Sequence, residues 1–156
     1  MIPVPGGTST HLVGVTLLAI LYHPLAAFVC ESLVLLVQAL FFGAGGITVL
    51  GVNALAMGLL GPLAGWLVWR ALRRVNGKVA AFAAAYASMQ VAALAVAAAL
   101  GLQHALSARY FPLPLAVVLP AMMIPSLTAA GLAEGAYTVF ALTLLRKANL
   151  HGAALD

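Results

Sequence analysis

From Val79 to about Leu102 the sequence is almost entirely alanine, valine and leucine. A run of that length and character has few folds open to it. About 20 apolar residues in a helix span the hydrocarbon core of a bilayer. Only helices and closed barrels satisfy their backbone groups in lipid. The run has no period-two alternation of polar and apolar residues, so it is read as a transmembrane helix rather than a barrel strand. The rest of the chain is of the same kind. Of 156 residues, 65% are hydrophobic, and seven Lys or Arg and three Asp or Glu are the whole charge complement. A soluble domain carries roughly a quarter charged residues. Too few charges remain here to cover a water-facing surface.

The expected fold is all-α: a single-domain polytopic transmembrane helical bundle of about five spans, over residues 1–156. Residues 1–7 hold Pro3, Pro5, Gly6 and Gly7 and read as extended loop. The first apolar run, His11 to Tyr22, is short for a full crossing, which suits a helix that begins below the membrane surface. His23-Pro24 breaks the chain, and Pro24 is placed for the first turn of the next helix. That helix runs from about Leu25 to Phe42 and is followed by a turn at Gly43-Ala44-Gly45-Gly46. The third run, Ile47 to about Arg74, is predicted to be roughly 42 Å long at 1.5 Å per residue. That exceeds the hydrocarbon core, so tilt or a kink near Gly61-Pro62 is expected. The fifth, from about Leu115 to Leu145, is interrupted by Pro120 and Pro125. The first residues, Met1-Ile2-Pro3-Val4-Pro5, lack the basic segment of a cleavable signal peptide.

The net charge of +4 is no nucleic-acid signature, because the cations flank apolar runs. Arg70, Arg73, Arg74 and Lys78 lie between the third and fourth spans, and Arg146-Lys147 follow the fifth. Basic loops face the cytoplasm. Both clusters share a side if the fourth and fifth segments each cross once. His11, the 43–46 turn, His104 and Arg109 then lie at the outer face. The expected location is the inner (cytoplasmic) cell membrane.

The most polar stretch before the first apolar run is Pro5-Gly6-Gly7-Thr8-Ser9-Thr10-His11-Leu12-Val13-Gly14. Its glycines permit backbone conformations closed to other residues, and its hydroxyls can cap a helix starting near His11. The outcome is a shaped loop holding an imidazole, the commonest metal-ligating side chain. Taken alone, a histidine at a helix start serves equally as a cap or an interfacial group. Ser9, Thr10, the turn containing Gly45 and Gly46, and Asn53 are expected at the same face. Asn53 either lines a cavity or orients His11, or makes a helix-packing bond. His104 is a further candidate for capturing metal.

Glu31 and Glu134 are the acids within spans. Intramembrane carboxylates are costly and functional by default. Glu134, flanked by small residues, is either a structural anchor or a functional carboxylate. Glu31 is read as an interfacial anchor, His23 as interfacial and Cys30 as a small packing residue. One cysteine excludes an intrachain disulfide and a cysteine-cluster metal site. No phosphate loop or dinucleotide fingerprint appears, so ATP hydrolysis is expected on other chains. Ser9 and His11, adjacent on one loop, make no catalytic triad, and no enzymatic activity is expected.

The Pro5–Gly14 loop resembles the P-G-[GT]-[TS]-S-x-H-L-x-G loop of the CbiM/NikM family, the substrate-specific membrane components of energy-coupling-factor cobalt and nickel transporters. The resemblance continues through Leu36–Thr48, Leu50–Gly58 and Ala133–Thr138, in the same order. It implies capture of Ni²⁺ or Co²⁺ as transported ligand, with no tightly bound cofactor. It implies a transmembrane coupling protein and cytoplasmic ATPase subunits as partners, with a small accessory membrane subunit possible, and no nucleic acid. Family members resemble one another in a planar nitrogen chelate. Its donors are the amino-terminal nitrogen, the next backbone nitrogen, a histidine at position two and the loop histidine. The last maps onto His11. Ile2 stands in place of the second-position histidine, Ala44 in place of an aspartate, Ala56 in place of an asparagine and Leu127 in place of a histidine. The family's first part is expected on a longer form of this chain or on a separate polypeptide, or the chain is a homologue that binds metal less tightly. A binding component for another small molecule of vitamin type, or a structural subunit, are the alternatives.

Overall fold

The structure is a computed structural model that describes residues 2–4, 8–10, 14–43, 47–109 and 111–148. Two short strands, β1 (Ile2–Val4) and β2 (Thr8–Thr10), pair antiparallel, with Ile2 opposite Thr10 and Pro3 opposite Ser9. A seven-residue helix, α1 (Val15–Leu21), follows. Four helices are long and apolar enough to cross a membrane: α2 (Pro24–Phe42), α3 (Ile47–Leu72), α4 (Gly77–Leu106) and α5 (Leu115–Lys147). The helical membrane bundle is as expected, with four candidate spans among the described residues beside the expected count of about five. The short first run forms a helix of about 10 Å, less than a crossing.

Local chemistry sets the helix ends. Pro24 opens α2, and the His23 Nδ1 accepts the Leu25 amide at 3.3 Å. Asn76 caps α4, its side-chain oxygen accepting the Lys78 and Val79 amides at 3.0 and 3.2 Å. These bonds fill helix-end donors that have no intrahelical partner.

Two long helices are interrupted, and each interruption is a π-helical turn. In α3 it covers Ala54–Leu60, ending where Gly61-Pro62 begins a regular helix. In α5 it covers Ser126–Ala130, directly after Pro125. Proline has no amide hydrogen and pushes back the carbonyl four residues earlier. Irregular backbone at membrane depth needs partners from neighbouring helices, and α4 supplies those of the α5 interruption. Gln90 Nε2 donates to the Ser126 carbonyl (2.8 Å), the Ser126 hydroxyl donates to Gln90 Oε1 (2.9 Å), and the Tyr86 hydroxyl donates to the Leu127 carbonyl (2.9 Å).

The core is built on small residues. Ala80, Ala81 and Ala84 of α4 pack with Trp69, Ile20 and Leu142, so α1, α3, α4 and α5 meet there. Val15, Ala19 and Ala27 join α1 to α2. Gly65 lies where α3 and α4 approach closely. A Cβ there would lie 2.8 Å from the Ala84 carbonyl and 2.9 Å from the Thr16 methyl. In lipid, helix association rests on such close packing rather than on expulsion of water.

The outward faces are apolar. Phe41 and Phe42 are each 77% exposed and Leu25 is 62% exposed. Cys30 also faces outward, contrary to its expected packing role. Its neighbour Glu31 takes the inward face instead. The two basic clusters share one end of the bundle: the Arg146 guanidinium lies 3.1 Å from the Cβ position of Gly77, the first residue of α4.

Candidate metal-capture site

The exit of the Gly-rich loop is held by an acid from the far end of the chain. The Gly14 amide donates to Glu134 Oε1 at 2.8 Å. Glu134 is 1% exposed, so this bond to an ionisable acceptor lies in a low-dielectric interior, where it is electrostatically strong. Gly14 has φ +68, the left-handed region. A Cβ at that position would meet Tyr137 Cε1 at 3.3 Å. Glu134 and Tyr137 lie three residues apart on one face of α5. Together they clasp the residue that starts α1.

The clasp is deep. Glu134 precedes Lys147, at the basic end of α5, by 13 positions. At the helical rise that is about 20 Å, well inside a core about 30 Å thick. Gly14 and the start of α1 therefore lie inside the membrane, as the short first run requires. The Gly14 amide is tolerated at that depth because Glu134 accepts it.

His11, Gly45 and Gly46 lie outside the described residues. Ser9 and Thr10 belong to β2, where they pair with Pro3 and Ile2. That pairing folds the chain back on itself just before His11. Asn53 is half-buried at the position where α3 changes from regular to π-helical winding. His104 Nδ1 donates to the Phe111 carbonyl at 2.9 Å, so this ring fastens the α4–α5 connection. Among the described residues there is no group of three or more His, Cys, Asp or Glu able to hold a metal ion.

Glu31 is 3% exposed, not interfacial. Its Cβ sits 3.5 Å from the Cβ position of Gly58, in the π-helical segment of α3. Gly58, without a side chain, lets α2 pack closely against that segment. Glu31 Oε1 and Thr138 Oγ1 are buried without a hydrogen-bond partner among the described residues. Position along a helix, counted in turns from its end, says nothing about which face a residue takes. That is why the burial of Glu31 was not visible in the sequence.

A family model described as the cobalt uptake substrate-specific transmembrane region, CbiM, matches residues 1–151. The chain belongs to the CbiM family. A putative metal transport protein of Methanocaldococcus jannaschii is 39% identical over 148 residues, covering 94% of this chain and 67% of that protein. The fused nickel transport protein NikMN of Rhodobacter capsulatus is 38% identical over 160 residues, covering 95% of this chain and 46% of the relative. The chain thus spans about half the length of that fused relative. Two crystal structures of a transition metal transporter, one of them truncated, superpose with TM-scores of 0.89 and 0.88. They are 39% and 38% identical, and each match covers 94% of this chain and 68% or 72% of the other. All four matched blocks of the CbiM resemblance lie within the residues that the family model covers. The Gly14–Glu134 bond joins the first of those blocks to the last.

Proposed function

We propose that this CbiM-family chain captures a divalent transition-metal ion of the nickel and cobalt class, at the loop leading into α1, as the substrate-capture component of an uptake transporter. His11 is the candidate ligand, and Ser9, Thr10, Asn53, Gly45 and Gly46 line the site. The observation that carries this reading is the Gly14–Glu134 bond, which anchors the histidine-bearing loop three residues after the imidazole. Glu134 acts here as a positioning residue. The names of the relatives support the metal class: nickel for the Rhodobacter capsulatus protein and cobalt for a Geobacter sulfurreducens protein 38% identical to this chain.

The chemistry is consistent with a nitrogen-donor site. Imidazole suits nickel, and tetragonal nitrogen coordination is one of its preferred geometries. One imidazole binds weakly by itself, so further nitrogens are required. The family resemblance supports donors from an amino-terminal Met-His segment, on a longer form of the chain or on an accessory membrane subunit. Metal capture at the outer face of the cell membrane precedes reorientation, driven by a transmembrane coupling protein and cytoplasmic ATPase subunits. The two basic clusters at one end of the bundle support that orientation through the bias of cytoplasmic loops toward Lys and Arg.

Isothermal titration of the purified protein with Ni²⁺ and Co²⁺ tests the reading. Saturable binding of one of them, weakened at least tenfold by His11→Ala, is the expected result. Absence of binding to either ion, together with a metal-independent small molecule retained through purification, would overturn it in favour of another substrate.

A further inference from the structure

The basic end of the bundle carries a side-chain arrangement that metal capture does not use. Leu63, Trp66, Leu67 and Arg70 follow one another on α3 at helical spacings of three, one and three residues, so they share one face. Leu63 is 38% and Leu67 55% exposed. The Arg70 guanidinium carbon lies 4.7 Å above the centre of the Trp66 ring. The His23 ring meets the same indole edge-on, 5.3 Å between centroids. Trp66 is itself packed against the Val15, Ala19 and Ala27 cluster, so the platform under Arg70 is fixed. Among the described residues Arg70 has no carboxylate partner: the acids there, Glu31 and Glu134, are both buried. Arg74 follows in the turn after α3, and both arginines are exposed.

We propose that this face is a binding site for an anionic phospholipid, whose phosphodiester lies on Arg70 and Arg74 and whose acyl chain runs along Leu67 and Leu63. The stripe changes from apolar to aromatic to cationic in the order that a lipid changes from chain to glycerol to phosphate. An acidic protein segment would match the charge but not the exposed leucines that continue it. Stacking on Trp66 holds the guanidinium plane in place without using its donors. Its fork of N–H groups then faces phosphate oxygens, a geometry that guanidinium matches two bonds at a time. Basic clusters beside membrane helices attract anionic headgroups, and each cation near the surface changes lipid preference by about fivefold.

Two measurements on the full chain test this. In the first, a Trp69→Phe background leaves Trp66 as the emitter, and its fluorescence is followed in mixed micelles containing brominated phosphatidylglycerol or brominated phosphatidylcholine. Half-maximal quenching is expected at a several-fold lower fraction of the anionic lipid, with Arg70→Gln removing most of that difference. In the second, native mass spectrometry of the unaltered chain is expected to retain phosphatidylglycerol over phosphatidylcholine, and Arg70→Gln to lose this selectivity. Equal quenching and equal retention of the two lipids would overturn the proposal and leave the face to an acidic protein segment. Displacement of the lipid by dissolved glycerol phosphate at similar concentration would overturn it in favour of a free phosphate site. Neither outcome bears on metal binding at the loop.

Discussion

Replacing Glu134 by alanine is expected to weaken Ni²⁺ or Co²⁺ binding by roughly tenfold to a hundredfold, while Glu134→Gln stays within a few-fold of the parent. The reasoning starts at the Gly14 amide, which Glu134 Oε1 accepts at 2.8 Å in a site 1% exposed. A buried donor left without an acceptor costs about 1–3 kcal/mol, and in lipid no water replaces the lost oxygen. The loop escapes that cost by leaving the bundle, which takes His11 out of position. Glutamine keeps an acceptor oxygen at the same reach. Titration calorimetry on the three proteins reads the difference. Equal weakening by alanine and glutamine would mean that charge, rather than the bond to Gly14, is what Glu134 contributes.

The second large effect is on stability. Gly65→Val is expected to lower the apparent unfolding midpoint in detergent strongly, and Gly51→Ala to leave it nearly unchanged. At Gly65 an added carbon would sit 2.8 Å from the Ala84 carbonyl, with the Thr16 methyl at 2.9 Å. The obstacle on one side is backbone, so α3 and α4 must move apart. Overpacking of that kind costs about 1–3 kcal/mol or more, and the displaced helices carry the Trp69, Ala80 and Ala84 core with them. Nothing lies within 4 Å of a Cβ at Gly51. A scan of detergent-solubilised protein by intrinsic fluorescence separates the two. Similar midpoints would show that the α3–α4 contact is not a principal support of the bundle.

Much of this architecture was legible in the sequence. Apolar runs free of charge can satisfy their backbone in lipid only as helices, so the four long helices followed from length and composition. Pro125 announced a break in α5, and Gly61-Pro62 one in α3. Both became π-helical turns, and in α5 side chains of α4 repair the backbone. Gln90 and Tyr86, which do the repair in α5, gave no signal as such: a polar residue in an alanine-rich span does not name its partner 36 or 41 positions away. The same holds for the site. The loop from Pro5 to Gly14 stood out by its glycines, hydroxyls and imidazole. That its exit is held by an acid 120 positions later depends on how α1 packs against α5. Glu31 and Cys30 were misread for a related reason. They are adjacent on α2, and small differences of helix rotation decide which of two neighbours faces Gly58 and which faces outward.

The most direct test of the account is X-ray absorption at the metal edge of the nickel- or cobalt-loaded protein, compared with the same protein carrying His11→Ala. The account predicts nitrogen coordination with the outer-shell scattering of imidazole, reduced by one ring in the variant, with any residual metal bound through fewer nitrogens. An unchanged imidazole contribution in His11→Ala would contradict it, because the metal would then be held without the loop that organises the site.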